Sequence, residues 1–178
     1  RFYEPGSGRV MIDGRDVSEI SIESLRALMG IVTQETILFN DTVARNIGYT
    51  EADPDMDRVR EAARLANAHD FVMTLDGGKG YDTVIGQEGL LISGGQRQRI
   101  AIARAIYHSP DVLIFDEATS ALDEKAQALV QEAINNLLRG RTAFIVAHRL
   151  STVRNADEIF VLERGKLVER GTHEALMR

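Results

Sequence analysis

The residues best suited to bind an anion lie in residues 91–99, where a serine and two glycines precede a helical pattern. Ser93 is a strong helix N-cap, and residues 96–108 are rich in Arg, Ala, Ile and Gln, which tolerate a helix. Gly94 and Gly95 fall in the first turn, where the missing β-carbons leave backbone N–H groups accessible. With the positive end of the helix dipole, this favours phosphate binding. The alternative is a glycine-rich turn capping a surface helix.

Three apolar runs each end in a polar residue that could take part in chemistry. The polar residues are Gln34, Asp116 with Glu117, and His148. Buried strands linked by helices indicate a parallel α/β sheet, in which ligands bind beyond the carboxyl ends of the strands. We therefore expect these groups to face one cleft. Taken singly, Asp116 is also explained as a helix cap, His148 as a core or surface histidine, and Gln34 as a loop residue.

The elements that must position these groups follow from periodicity, caps and breakers. Helices are predicted from Ser21 to about Met29, from Asp41 through Ile47, from Pro54 to about Asn67, over residues 70–75 and 122–138, and from Thr172. Strands are predicted over residues 9–13, 30–33, 112–115 and 142–147, and over residues 158–163 and 166–169 around a tight turn. Residues 112–115 and 142–147 are expected to be buried.

Composition bounds the class of protein. A chain of 178 residues can form one domain with a core and a subdomain, and it has no apolar run of membrane-spanning length. The absence of cysteine excludes disulfides and thiolate metal sites. A net charge of −6 argues against broad nucleic-acid binding. The opening on Arg1, without a signal peptide, leads us to expect a piece of a longer protein.

Read together, these residues resemble the nucleotide-binding domain of ATP-binding-cassette (ABC) transporters, over essentially the whole chain. Residues 93–96 resemble the family signature, with Ile92 where leucine is usual. Residues 112–116 followed by Glu117 resemble the Walker B strand and its catalytic glutamate. The other matches are residues 120–123 with the D-loop, His148 with the switch histidine, and Gln34 with the Q-loop glutamine. The order and spacing of these motifs are far more specific than any one of them.

The resemblance implies an α/β, P-loop NTPase-like (RecA-like) core with an ABC helical subdomain. Residues 1–40 would be a partial core, residues 41–110 the helical subdomain ending in the signature helix, and residues 111–178 the rest of the core. The chain contains no Gly-x-x-x-x-Gly-Lys-Ser/Thr motif. The family's N-terminal strand and Walker A loop are therefore expected to be missing, and that strand is expected to belong beside residues 112–115.

The activity implied by the resemblance is hydrolysis of ATP with Mg²⁺. Asp116 and Gln34 would hold the metal, Glu117 would polarise the attacking water, and His148 would hydrogen-bond the γ-phosphate. The residues that would contact nucleotide bound to an opposite subunit are Ser93, Gly94, Gly95 and Gln96, with Asp123 at the same interface. Without a P-loop, we expect negligible ATP hydrolysis by this chain alone.

Residues 38–43 and 82–86 resemble exporters, lipid A flippases and related multidrug exporters above all. The implied partners are a second nucleotide-binding domain, head to tail, and a membrane domain contacted through residues 34–42 and 83–89. Phe39 and Thr42 fall where a coupling helix would dock. Gln87 stands where the family has a glutamate that senses the membrane domain, which bears on coupling. The implied location is the cytoplasmic side of the inner membrane, although the chain by itself is expected to be soluble.

The sequence leaves two other interpretations open. The chain could be a non-catalytic dimerising module, because loss of a sheet strand would uncover apolar edges and promote self-association. It could also be a soluble ABC ATPase acting on nucleic acid, a class against which the acidic balance and the exporter-like residues 38–43 argue.

Overall fold

The computed structural model of the chain describes residues 3–33, 36–86, 92–116, 124–146 and 154–178. Within these ranges a parallel sheet packs against helices. The helices are α1 Ile22–Ala27, α2 Val43–Ile47, α3 Met56–Leu65, α4 His69–Thr74, α5 Gly94–His108, α6 Glu124–Leu138 and α7 His173–Leu176. The strands are β1 Met11–Ile12, β2 Arg15–Asp16, β3 Met29–Val32, β4 Asp41–Thr42, β5 Val84–Ile85, β6 Val112–Asp116, β7 Thr142–Val146, β8 Ile159–Glu163 and β9 Lys166–Gly171.

The central sheet has the strand order β3-β6-β7, and its pairings are parallel. Successive side chains of a strand point to opposite faces, so each register row belongs to one face. The row that contains Val32 and Phe115 is on the core face, and both side chains are buried. Leu113 is buried on the same face. The observed parallel sheet confirms the α/β class predicted from the apolar runs.

Two expectations about this sheet are wrong. Strand β6 is paired on both edges, with β3 and with β7, so a further strand cannot lie directly beside residues 112–115. Strand β7 is also less buried than its sequence suggests, because its second face is open within the described part of the chain. Phe144 is 59% exposed, Val146 is 51% exposed, and Ile31, in the same register row as Phe144, is 62% exposed.

Helix α5 lies at the centre of the packing, where it contacts α2, α3, α6 and β3. Ile100, Ile102 and Ala103 on this helix are fully buried in the core. Burial of each of the two isoleucines contributes about 1.5–3 kcal/mol to stability. The predicted apolar face of this helix is therefore confirmed.

Two helices begin later than the sequence suggests. Helix α2 is capped by Thr42, whose hydroxyl accepts a hydrogen bond from a first-turn amide at 3.2 Å, whereas Asp41 lies in β4. Helix α3 is capped by Asp55, whose carboxylate accepts from two first-turn amides, whereas Pro54 is buried ahead of the helix. In both cases the cap is the residue whose extended backbone lets its side chain turn back to the free amides.

The C-terminal part of the described chain agrees with the prediction. Strands β8 and β9 form an antiparallel hairpin, and Arg164 and Gly165 between them have φ of 49° and 76°. Two positive φ values are what a tight two-residue hairpin turn requires. Helix α7 begins after Thr172, as expected. None of the described helices combines the length and apolar character needed to cross a membrane.

Candidate functional site

The carboxyl ends of the three central strands lie along one edge of the sheet. Val32 at the end of β3 is in register with Phe115, and Asp116 at the end of β6 is in register with Val146 at the end of β7. The strands are parallel, so the chain leaves all three at the same edge. This is the arrangement on which the predicted cleft depends.

Asp116 presents a carboxylate at this edge. The side chain is exposed, and no described residue donates a hydrogen bond to it or forms an ion pair with it. An unpartnered carboxylate suits Mg²⁺, which prefers oxygen ligands and binds through one or two carboxylates plus substrate phosphates. Within the described ranges no group of three or more His, Cys, Asp or Glu could hold a metal ion. The exposed carboxylate of Asp116 is compatible with a magnesium ion that is held jointly with a phosphate ligand, and this role stays a prediction.

The N-terminus of α5 has the geometry of an anion site. Ser93 Oγ accepts from the Gln96 amide at 3.3 Å, and Gln96 Oε1 accepts from the Ser93 amide at 2.8 Å, which forms a capping box. The amides of Gly94 and Gly95 make no hydrogen bond to the rest of the described chain. Ser93 and Gly94 are exposed, whereas Gly95 is buried. The exposed tip can therefore offer a hydroxyl and the Gly94 amide to an anion at the positive end of the dipole.

Several predicted site residues lie outside the described residues. They are Gln34, Gln87, Glu117, Asp123 and His148. The described ends of β3, β6 and β7 precede Gln34, Glu117 and His148 by one or two residues. Their roles stay predictions.

The two segments predicted to contact a membrane domain are adjacent in the structure. Strand β4 pairs with strand β5, with Asp41 opposite Ile85 and Thr42 opposite Val84. Segments more than 40 residues apart in sequence therefore form one surface. The sequence predicts that both segments contact the same partner, but it does not predict the pairing of β4 with β5.

An open groove of about 410 Å³ lies next to this surface. Phe39 and Tyr49 in its wall are stacked, with ring centroids 4.3 Å apart and an interplanar angle of 9°. Arg104 of α5 lies over both rings, and its burial lowers the pKa of the guanidinium from the ordinary arginine value. The groove offers exposed aromatic surface beside the carboxylates of Asp41 and Glu51.

The sequence singles out Phe39 as a position where a coupling helix would dock, but it does not single out Tyr49, Asn46 or Arg104. Tyr49 follows Gly48 at the end of α2, and an exposed aromatic residue at a helix end was a signal that could have been used. Asn46 looks like an ordinary helix residue, and Arg104 looks like one of several arginines on α5. Their importance comes from contacts across about 60 residues of sequence, which no local pattern contains.

Comparisons with known proteins agree with the motifs. A family model described as ABC transporter matches residues 1–120. The chain is 54% identical over 177 residues to the ATP-dependent lipid A-core flippase of Syntrophus aciditrophicus, covering 99% of this chain and 29% of the flippase. It is 51% identical over 180 residues to multidrug resistance protein 1 of Entamoeba histolytica, covering 99% of this chain and 14% of that protein. The chain thus spans less than a third of the length of these relatives.

The fold agrees with a solved structure as well. The structure of a bacterial Atm1-family ABC exporter with ATP bound superposes with a TM-score of 0.89 at 44% identity, over 99% of this chain and 31% of that chain. The similarity includes both the sheet and the helices that carry the motifs, because it covers almost all of the chain. The family model and these relatives together show that the chain belongs to the ABC transporter family.

Proposed function

We propose that this chain is the nucleotide-binding part of an ABC exporter, which couples ATP binding and hydrolysis to export of a lipid or another hydrophobic substrate. The observation that supports the proposal is that the structure presents two exposed features that favour binding of a phosphate and its metal ion. One is the edge of the parallel sheet, where Asp116 is exposed without a described partner. The other is the exposed N-terminus of α5, where the Gly94 amide has no hydrogen-bond partner among the described residues. Phosphoryl transfer requires positioning and charge stabilisation of this kind.

The chemistry is attack of water on the γ-phosphorus of ATP. A magnesium ion held by Asp116 and Gln34 would neutralise charge on the phosphates when bound. Glu117 follows Asp116 directly, and the alternation of side chains along a strand leads us to expect its carboxylate to point away from that of Asp116. Glu117 is thereby left to accept a proton from the attacking water. His148 donates a hydrogen bond to the γ-phosphate and orients that water.

A second copy of the domain completes the site. Ser93, Gly94, Gly95 and Gln96 contact the γ-phosphate of ATP held by the opposite subunit, and Asp123 lies at the same interface. Exposure of Ser93 and Gly94 supports this, since an exposed tip is accessible to another molecule. Gly95 is buried in its own chain, and because glycine has no side chain it can contact the phosphate only through its backbone amide. Nucleotide would hold two domains together head to tail, and hydrolysis would release them.

The membrane domain would dock on residues 34–42 and 83–89, at the cytoplasmic face of the membrane. The ladder between β4 and β5 supports this, because it joins the described parts of both segments into one surface. The exposed aromatic groove beside it suits an amphipathic helix from the partner. The lipid A-core flippase named above suggests lipid as the substrate class. Gln87, in place of the family's glutamate, is expected to change how strongly the two domains are coupled.

A chimeric exporter tests this function. In this exporter chimera, the 177 aligned residues of the Syntrophus aciditrophicus flippase are replaced by the present sequence. We expect ATP hydrolysis that falls by about 10²–10⁴-fold in Glu117→Gln, the range that a general base contributes. Glu163→Gln, which removes an exposed glutamate on β8, is the matched control and should leave hydrolysis unchanged. Hydrolysis that survives Glu117→Gln would contradict the assignment.

The 178-residue chain on its own is a separate case. It contains no Gly-x-x-x-x-Gly-Lys-Ser/Thr motif, so it lacks the cradle of amides and the lysine that bind the β- and γ-phosphates. We propose that this polypeptide hydrolyses ATP negligibly even where the exporter chimera is active. Turnover by the purified chain at the rate of the chimera, abolished by Glu117→Gln, would overturn this proposal.

A further inference from the structure

The guanidinium of Arg104 makes three hydrogen bonds, two to Asn46 within α2 and one to the loop that precedes this helix. Its Nε donates to the Asn46 carbonyl at 2.7 Å, and one terminal nitrogen donates to Asn46 Oδ1 at 3.2 Å. The other terminal nitrogen donates to the Ile37 carbonyl at 3.2 Å. Arg104 is on α5, whereas its acceptors lie about 60 residues earlier. A single side chain therefore connects the signature helix to both ends of residues 37–46.

The same guanidinium supports the aromatic pair in the groove. Its central carbon lies 5.3 Å from the Phe39 ring centroid and 5.6 Å from that of Tyr49. No carboxylate in the described ranges forms an ion pair with Arg104. Its charge is instead held by carbonyl oxygens and by ring faces, which attract a cation electrostatically. The position of the two rings and the position of Arg104 thus depend on each other.

The side chain of Asn46 forms hydrogen bonds with the backbone of residues 39–42. Its side chain is fully buried, and its Oδ1 accepts from the Phe39 amide at 2.8 Å. Its Nδ2 lies 3.0–3.2 Å from the carbonyl oxygens of Phe39, Asp41 and Thr42, to which it donates. The amide thereby fixes residues 39–42, which include strand β4. Since Arg104 also donates to this Oδ1, it helps to orient the side chain of Asn46.

A second hydrogen bond connects helix α5 to Thr36, at the start of the segment that precedes α2. Thr36 Oγ1 donates to Gln98 Oε1 at 2.7 Å, and Gln98 is buried. Gln98 and Arg104 are on the helix that begins with Gly94. From Ser93 to Arg104 a straight helix rises about 16 Å, at about 1.5 Å per residue. The side chains of Gln98 and Arg104 thus connect helix α5, whose N-terminus is the anion-directed tip, to residues 36–46.

We infer that Arg104 is a positioning residue that couples the signature tip of α5 to the docking groove, by holding Phe39, Tyr49 and Asn46 in the arrangement that a partner helix recognises. The inference rests on the proposed function, because it concerns transmission between the nucleotide and the membrane domain. Arg104 does not touch nucleotide in this account. Lysine cannot replace it fully, because a single ammonium lacks the planar fork that binds three acceptors and stacks on rings.

The test compares Arg104→Lys and Arg104→Gln in the exporter chimera reconstituted in lipid. We expect basal kcat and the KM for ATP to stay within about twofold of the parent, while stimulation by lipid A-core falls about tenfold in Arg104→Gln. Arg104→Lys should retain part of that stimulation. A role confined to folding would instead lower basal turnover and stimulation together.

A matched control is available in Arg58→Gln. Arg58 also lies over an aromatic ring, at 4.4 Å from the Tyr107 centroid, and also donates to a carbonyl, at 2.9 Å. Its loss should affect stability without changing stimulation. A second readout is hydrogen exchange of the Phe39 amide in the 178-residue chain, which should be faster in Arg104→Gln than in Arg104→Lys, with the amides of residues 100–103 unchanged.

Full stimulation in Arg104→Gln would overturn the inference, as would equal loss of stimulation in Arg58→Gln. Unchanged exchange of the Phe39 amide would overturn it as well. Failure of the proposed function is distinguished by the parent chimera, which would then neither hydrolyse ATP nor respond to lipid A-core with Arg104 in place.

Discussion

Ser93 caps helix α5, and it is also proposed to contact an anion. Its side chain accepts the Gln96 amide within the helix, which fixes the position of the hydroxyl. The exposed tip around it is then available to a ligand without rearrangement, because its capping contacts are already made. The anion-directed geometry is therefore a property of the folded helix and is expected to persist without nucleotide.

The capping box predicts a loss of stability in Ser93→Ala. The change removes the acceptor for the Gln96 amide, and N-cap serines contribute about 1 kcal/mol. Ser93→Asp keeps an acceptor at the same position and is the matched control. Urea unfolding of the 178-residue chain should give a lower unfolding free energy for the alanine variant only. Equal stability of all three proteins would show that this cap does not form.

Two buried tyrosines predict that the unfolding free energy of the chain falls at alkaline pH. Burial is the main cause that raises the pKa of Tyr81, which also hydrogen-bonds His69, and burial likewise raises the pKa of Tyr107. The unfolded chain then loses these protons first, at the usual tyrosine pKa of about 10. Stability is therefore fully present below about pH 10 and is lost as the pH rises through the higher folded-state pKa values.

The measurement is the unfolding free energy at about pH 8 and about pH 11. Tyr81→Phe should show a smaller decrease between the two values than the parent chain. Tyr3→Phe changes a largely exposed tyrosine and should behave like the parent. If the decrease is the same in all three chains, Tyr81 does not contribute to the pH dependence.

Among the elements, helix α5 and strand β7 were both predictable from the sequence, whereas the burial of β7 was not. The helix has a serine cap, glycines in its first turn and apolar periodicity, and each of these local signals agrees with the fold. The burial of β7 depends on what covers its second face, which its own apolar sequence does not specify. The role of Arg104 was missed for a related reason, since its acceptors are far away in sequence.

The packing of β3 against the start of β6 predicts the effect of Gly30→Ala. A Cβ at this position would lie 2.6 Å from Pro110 Cγ, closer than real Cβ contacts come, and 3.2 Å from Leu113 Cδ2, which is a tight contact. Overpacking of this kind costs about 1–3 kcal/mol.

Gly86→Ala is the control, because a Cβ there meets nothing within 4 Å. Its unfolding free energy should stay within about 0.5 kcal/mol of the parent, as for other changes outside packed sites. Thermal or urea unfolding of both variants checks the difference. A Gly30→Ala chain as stable as the Gly86→Ala chain would contradict the close approach of β3 to Pro110.

At the scale of the whole molecule, the exposed face of the central sheet predicts self-association of the 178-residue chain. Ile31 and Phe144 share one register row on that face and are largely exposed, and β7 has an unpaired edge within the described residues. Exposed strand edges and apolar faces favour pairing with another chain. Sedimentation velocity should therefore show a sedimentation coefficient that rises with protein concentration.

The variant Phe144→Glu should weaken this association. Burial of one phenylalanine contributes about 1.5–3 kcal/mol, so the dissociation constant should rise at least about tenfold. Leu65→Glu changes an exposed leucine on α3, away from the sheet, and should leave the association unchanged. A compact monomer at all concentrations would contradict the prediction.

The proposed function requires the signature tip of one copy to complete the catalytic edge of another, and mixed dimers of the exporter chimera test this requirement. The measurement is the ATPase rate of two purified heterodimers. One pairs a Glu117→Gln copy with a Ser93→Arg copy, and the other pairs an unchanged copy with a copy carrying both substitutions. We predict hydrolysis by the first heterodimer, which retains one intact composite site, and none by the second. Hydrolysis by the second heterodimer and none by the first would place the signature and the catalytic glutamate of each site in the same subunit, and would contradict the account.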